Sequence, residues 1–403
     1  MDEINADFFT GNRRRLRELF TGTAPILLSA NGLLQRIADT NFPFNQDPNF
    51  WYLTGVDVPD ALLFMYKDKE CLIMPDTTDY GDIFNGEVKA ESLMAISGIE
   101  SVMENKEGWK LIEGTLKRIR HLATLAPPAS YIPTYNMYAN PARASLIRKL
   151  RDKSPDLDIL DLSEHFKTMR FVKQPSEIAA IKKSVDITCR AINSARRHHY
   201  EYEYEAEADI SRSFRRDGAA GHAYDPIVAS GINACVLHYQ ENSSKIEEGA
   251  LILADVGASY NHYGADITRT WSQNKATPRQ QAVISAVNDA VEFSLEPLKP
   301  GVIYADVISD LRSFVGEKLR ELGLIKTISE EEVFRYYPHS PHFLGLATHD
   351  VGDYHAPLVP GVVLTVEPGI YIKEEGIGVR IEEDVLITDN GYELLSAKLP
   401  RIF

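Results

Sequence analysis

Residues 251–271 read LILADVGASYNHYGADITRTW. Leu251, Ile252 and Leu253 form an apolar run typical of a buried strand, and Ile267, Thr268, Arg269, Thr270 and Trp271 are mostly β-branched or aromatic. Gly257, Ser259, Asn261 and Gly264 between them carry turn chemistry. The pattern predicts an antiparallel hairpin with its loop near residues 259–262. Centred between Tyr260 and Asn261, it sets Asp255 directly opposite Asp266 on one face, with Cβ atoms roughly 4.5–5.5 Å apart. Facing carboxylates repel, so the pair needs either a proton on one member or a cation between them.

Residues 362–388 repeat the theme. Val362, Val363, Leu364, Thr365 and Val366 are again β-rich, as are Ile377, Gly378, Val379, Arg380 and Ile381, and Lys373, Glu374, Glu375 and Gly376 read as the turn. A hairpin centred between Glu374 and Glu375 sets Glu367 opposite Glu382. Two hairpins with a facing carboxylate pair each give four hard oxygen donors, which a pair of divalent cations satisfies. Between them in the chain lies His339-Ser-Pro-His342-Phe-Leu-Gly-Leu-Ala-Thr-His349-Asp-Val-Gly352. Its spaced histidines, His342 and His349, supply one candidate nitrogen ligand and one candidate hydrogen-bond donor.

The stretches ADVGASYNHYGADITRT, HFLGLATHDVG, LTVEPGIYI and GVRIEEDVLIT resemble, in order, the metal-site motifs of the Xaa-Pro aminopeptidases (aminopeptidase P), in the creatinase/prolidase/methionine aminopeptidase superfamily. Residues 38–55, ADTNFPFNQDPNFWYLTG, are similar to the N-domain signature of the same enzymes, so the resemblance covers most of the chain. It implies an α/β (α+β) chain: an N-terminal mixed-sheet creatinase-like domain, then a pseudo-symmetric pita-bread catalytic domain. It also implies that Asp255, Asp266, His342, Glu367 and Glu382 ligate two divalent metal ions. Carboxylates with one imidazole favour a hard or borderline ion, Mn²⁺ first, with Co²⁺, Fe²⁺ or Zn²⁺ as alternatives.

The reaction so implied is hydrolysis of the N-terminal Xaa-Pro bond of peptides with proline at the second position, by a metal-bridging hydroxide. Glu367 would pass the proton to the leaving proline nitrogen. His238, in a segment matching the family's active-site histidine outside the metal shell, and His349 would donate to the substrate carbonyl. Arg380 precedes Glu382 by two residues and shares its face on a strand, where it would orient carboxylates. Tyr371 is a pocket candidate. Asp39 is another, as an N-domain acid that in the resembling enzymes can approach a neighbouring subunit's active site. The family suggests a homodimer or homotetramer. Prolidase, which takes only Xaa-Pro dipeptides, is the alternative with the same site. A pita-bread binding protein without catalysis is the remote one, and the complete ligand set argues against it. The chain departs from the family at Ser340 and Pro341, where a glycine is frequent, and at Ala347, where an aspartate is frequent. Both departures bear on the pocket, not on ligation.

Whole-chain totals agree with this class. At 403 residues two domains are expected, and 44% apolar residues is ordinary for a globular protein. A net charge of −15 argues against nucleic acid as partner. Cys71, Cys189 and Cys235 form no CxxC motif, which with the polar start MDEINADFF suggests a reducing cytoplasm. No apolar run approaches 18 residues, so no membrane span is expected.

Along the chain, residues 11–20 predict a helix whose arginines form a solvated face. Strands are expected near 25–28, 50–53, 61–66, 71–74 and 157–160, and helices over 107–122 and 141–152. Nothing in residues 1–170 reads as catalytic alone, and the boundary is placed there, with 171–403 as the catalytic domain. Residues 200–205, YEYEYE, read as a solvated approach to a helix over 204–216. Pro175 and Pro278 open long helices, and a further helix is expected over 304–322. Two helix-pair blocks, 175–218 and 278–322, thus each precede strands bearing candidate residues, a weak internal repeat.

Overall fold

The structure, a computed structural model, describes residues 4–77, 81, 83–84 and 86–403. It divides into two compact units, with Arg170–Phe403 forming the larger.

In the N-terminal unit, α1 (Ala6–Leu19) is capped by the Asn5 side chain, which accepts from the backbone of Asp7 and Phe8. β1 (Ile26–Ser29) follows, then α2 (Pro48–Thr54). The expected strand at 50–53 is therefore a helix. Asp47 accepts from Asn49 N and Phe50 N, Pro48 takes the first turn, and Gly55 ends the helix in the left-handed region at φ 66°. Caps at both ends outweigh the aromatic residues' strand preference. β2 (Leu62–Tyr66), β3 (Lys69–Ile73), β4 (Val102–Met103), α3 (Asn105–Leu116), β5 (His121–Thr124), α4 (Ala142–Lys153) and β6 (Asp158–Asp161) follow, with further helices at Ala90–Ser97 and Ser163–Phe171. The expected helix over 107–122 thus stops at Leu116, and its last residues belong to β5. The mixed sheet runs β6-β5-β1-β2-β3-β4. Leu27, Phe64, Ile73, Trp109, Ile112 and Leu150 form its core.

The arginine face of α1 is also not wholly solvated. Arg13 is 1% exposed and donates to Glu70 Oε2 at 2.7 Å, Leu53 O at 2.7 Å and Ser97 O at 2.9 Å. A guanidinium with enough acceptors can be buried, and composition alone does not reveal them.

The larger unit begins with α5 (Pro175–Ala195) and α6 (Glu203–Arg216), packed on one another. Then come β7 (Ile227–Ser230), β8 (Leu251–Val256), β9 (Ala258–Tyr260), β10 (Tyr263–Gly264) and β11 (Ile267–Ser272). A second helix pair, α7 (Pro278–Leu295) and α8 (Tyr304–Glu321), precedes β12 (Val363–Val366), β13 (Gly369–Ile372), β14 (Ile377–Arg380) and β15 (Glu383–Thr388). Each helix pair thus leads into an interrupted hairpin. α7 opens with a capping box, Thr277 and Gln280 bonding each other's backbone N–H. Val287, Val291, Leu311 and Val315 of the second pair pack with Leu364, Ile370, Val379 and Val385. The 200–205 segment is only partly solvated: Glu201 and Tyr204 are exposed, but Glu203 is fully buried and Tyr200 is 5% exposed.

The first hairpin differs in register from the sequence expectation. Asp255 pairs with Thr268, Val256 with Ile267, and Tyr260 with Tyr263. The turn is Asn261-His262, both with positive φ (48° and 66°), one residue later than expected. Moving the turn by one residue moves every cross-strand partner by two. Side chains alternate with period two, so Asp266 keeps the face of Asp255 and becomes its diagonal neighbour. The ladder breaks at Gly257, where a Cβ would lie 1.7 Å from Ala265 O. The second hairpin has the expected register. β12 pairs with β15 as Val366↔Glu383, and β13 with β14 as Gly369↔Arg380. Glu367 and Glu382 occupy the matched positions in the gap between the two ladders.

Candidate metal centre

The two hairpin breaks meet. Glu382 N donates to Thr268 O at 3.1 Å, and Arg380 N and O both bond Thr270 Oγ1. This stitches β11 to the strand holding Arg380 and places the carboxylates of both hairpins around one pocket. The lining includes Asp255, Asp266, His342, Glu367 and Glu382 together with Leu237, His238, His339, Ser340, His349 and Arg380. One donor atom each from Asp266, His342 and Glu382 lies within 4.8 Å of the others.

Each side chain is held from behind. Thr268 Oγ1 donates to Glu382 Oε2 at 2.7 Å, and Thr365 Oγ1 to Glu367 Oε1 at 3.0 Å. His342 sets its Nδ1 3.0 Å from Phe343 O, leaving Nε2 3.3 Å from Asp266 Oδ2 and 3.5 Å from Glu367 Oε1. A ring whose Nδ1–H is taken by a carbonyl presents a bare Nε2 to a cation. Arg380 Nη2 donates to Asp255 Oδ2 at 2.5 Å, its Nη1 to Tyr371 Oη at 2.7 Å and its Nε to Thr268 Oγ1 at 3.0 Å. His349 sets its ring 4.1 Å from that of His342, tilted by 44°, and His238 is exposed on the pocket wall. Tyr371 stands behind Arg380, part of a small core with Ile227, Tyr239 and Leu253. Asp39 belongs to the N-terminal unit, exposed between the short strands Gln35–Ile37 and Thr40–Asn41.

Some residues of the cluster escape the sequence reading. Tyr224 places its hydroxyl 2.5 Å from both Asp255 Oδ1 and Asp266 Oδ1. No motif points to it from 31 and 42 residues away. His339 bridges Glu367 Oε2 (Nδ1, 3.0 Å) and Tyr371 Oη (Nε2, 3.0 Å). Its position three residues before His342 was a usable signal. Asp384 is wholly buried and accepts from Asp266 N at 3.1 Å. It follows Glu382 by two residues, the strand alternation that signals a shared face.

The electrostatics show what the cluster lacks. Burial, then the charge of Asp255, push the Asp266 carboxyl up to about 6. Burial and the charges of Asp266, Glu367 and Asp255 push Glu382 well above the carboxylate range, and burial and Asp266 do the same for Asp384. Burial opposes ionisation of Glu367 too, but the His339 hydrogen bond and the charges of His342, His339 and Arg380 win and hold it down to about 2. His342 is raised to about 9: burial lowers it, and Asp266 and Glu367 more than compensate. Left to itself the cluster must take up protons. Divalent cations remove that need, and the donors are the oxygen-rich, one-imidazole set that such ions prefer, so the residues fit the group.

The fold and this donor set define a class, the metal-dependent hydrolases. The chain belongs to metallopeptidase family M24, whose profile matches residues 179–389, and the aminopeptidase P N-terminal domain matches residues 9–122. It is a metallo-exopeptidase. It is 32% identical to the Xaa-Pro aminopeptidase of Escherichia coli over 99% of this chain and 96% of that one. It is 29% identical to human Xaa-Pro aminopeptidase 3 over 90% of this chain and 76% of that one. The structure of E. coli aminopeptidase P with the inhibitor Pro-Leu superposes with a TM-score of 0.88, at 29% identity, covering 99% of this chain and 97% of that one. Among the described residues, no helix is long and apolar enough to cross a membrane.

Proposed function

We propose that the protein releases the N-terminal residue from peptides with proline at the second position. In this reading Asp255, Asp266, His342, Glu367 and Glu382 hold two divalent ions, Mn²⁺ first. The observation that carries it is the convergence of Asp266, His342 and Glu382 donor atoms within 4.8 Å in a buried pocket that Asp255 and Glu367 also line. The ions, when bound, supply Lewis acidity and a water ionised at neutral pH.

The chain's own groups do the rest. Arg380 and Tyr224 orient the Asp255 carboxylate, beside which the substrate's free amine binds. His349 and His238 donate to the scissile carbonyl as negative charge develops on it, where each donor is worth about 2.7–4 kcal/mol. Glu367 Oε2 carries the proton to the proline nitrogen, which must be protonated to leave. The His339 and Thr365 bonds aim that carboxylate. The domain division at about residue 170 leaves all of these groups in the catalytic unit.

Mn²⁺-loaded protein is incubated with Ala-Pro and with Ala-Pro-Ala, and alanine release is followed. Cleavage of the tripeptide is the expected result. Cleavage of the dipeptide alone makes the protein a prolidase, and cleavage of neither rejects the reading.

A further inference from the structure

His238 is exposed and sits on the chain between β7 and β8, whose regular structure is a 3-10 turn, Gly231–Cys235, and a bridge from Lys245 to Tyr202. An exposed ring on such a segment is placed only as well as the segment is anchored. The anchor is Glu203, the first residue of α6, fully buried and outside the metal cluster. Its Oε1 accepts from Ser230 N at 2.7 Å, Ser230 Oγ at 2.8 Å and Asn233 Nδ2 at 3.0 Å. Its Oε2 accepts from Tyr239 Oη at 2.8 Å and Ser244 N at 2.9 Å. One carboxylate, an acceptor only, thus ties the start, the middle and the end of the segment. Tyr239 is the residue next to His238. One helical turn on, Glu207 accepts from Asn242 Nδ2 at 3.1 Å, and Asn242 Oδ1 in turn accepts from Val228 N at 2.9 Å.

We propose that Glu203 is a positioning residue for catalysis: through Tyr239 and Ser230 it fixes how far His238 reaches into the pocket, without touching the substrate. The inference rests on His238 donating to the substrate carbonyl. Glu203→Gln keeps the shape but sets an amide NH₂ among donors. Tyr239→Phe removes one hydroxyl beside His238 and carries the same comparison should Glu203→Gln not fold.

The test is a double-mutant cycle on Mn²⁺-loaded protein with Ala-Pro-Ala, reading kcat, KM and bound Mn²⁺ for Glu203→Gln, Tyr239→Phe, His238→Ala and the combinations with His238→Ala. Misplacing a catalytic donor by a fraction of an ångström to an ångström predicts a loss of about ten- to a hundredfold in kcat for Glu203→Gln, with KM and bound Mn²⁺ unchanged. Tyr239→Phe loses less. On the His238→Ala background either change costs under about twofold, because the ring it positioned is gone. The same loss on both backgrounds, a loss of Mn²⁺, or wild-type kcat in both single variants overturns the proposal. His238→Ala at the wild-type rate overturns instead the role of His238 from which it starts.

Discussion

Glu382 sits where burial and three neighbouring carboxylates all disfavour its charge. Its stabilising partner is therefore a cation, and the two states of the site should respond oppositely to its removal. Glu382→Gln is isosteric and neutral. In metal-free protein it should leave stability unchanged or raise it by up to about 2 kcal/mol, because folding no longer has to protonate a carboxylate that is ionised in the unfolded chain. The stabilisation on adding Mn²⁺ should vanish and activity should fall more than about a hundredfold. Melting curves with EDTA and with Mn²⁺ check it, and a variant that melts far below wild type in EDTA would contradict it. His222 gives the pH dependence of a group outside the cluster. Burial holds its imidazole down to about 4 from the ordinary 6.5, although Asp225 pulls it up. Its Nε2 meets Ser211 Oγ at 2.7 Å and its ring packs on Phe214. The unfolded chain takes the proton first as pH falls. The contribution of His222 is thus complete above pH 6.5 and is lost towards about 4, by at most about 3 kcal/mol. Urea titrations at pH 7.5 and 5 should show a steeper decline for wild type than for His222→Gln. Equal declines would show that the imidazole is not what senses pH.

At the scale of elements, what the sequence shows depends on whether a signal is local. The second hairpin was legible to the residue, because Gly376 at φ 61° marks its turn and the β-branched runs flank it evenly. The first was legible in face but not in register. Asn261 and His262 both adopt positive φ, and no glycine stands beside Asn261 to fix which two residues make the turn. The carboxylate pairs survived that slip because parity, not register, decides which face a side chain takes. Tyr224 and the buried Arg13 were illegible, because each is explained by partners distant in sequence. The aromatic run 50–53 misled because aromatic residues favour strands, whereas Asp47 and Gly55 cap a helix. The break in the first hairpin yields a prediction at the same scale. A Cβ at Gly257 would meet Ala265 O at 1.7 Å, and backbone cannot step aside as a side-chain end can. Gly257→Ala should push the Ala265 carbonyl away and carry Asp266, the next residue, with it. The expected outcome is a folded protein of lowered stability, by about 1–3 kcal/mol, whose Mn²⁺ affinity falls at least tenfold. Calorimetric titration with Mn²⁺ measures it, and wild-type affinity would show that the hairpin break tolerates a side chain.

For the whole molecule, the location of the ligands decides what metal can stabilise. The proposed ligands all come from residues 255–382, whereas Leu27, Phe64, Ile73, Trp109 and Ile112 form a separate core in the N-terminal unit. An ion that binds only the folded site adds RT ln(1 + [L]/Kd), about 2.7 kcal/mol at a hundredfold excess over Kd. That energy enters the opening equilibria of the segments that must open to release it, and no others. Hydrogen exchange with EDTA and with Mn²⁺ should therefore differ on peptides covering β8 to β11 and residues 342–388. Exchange in β1, β2 and β3 should be the same in both. The expected slowing at a hundredfold excess is about a hundredfold for amides that exchange only through opening of the site. Equal slowing in β1 to β3 would mean that the two units open as one, so that metal at the catalytic hairpins also governs the stability of the accessory sheet.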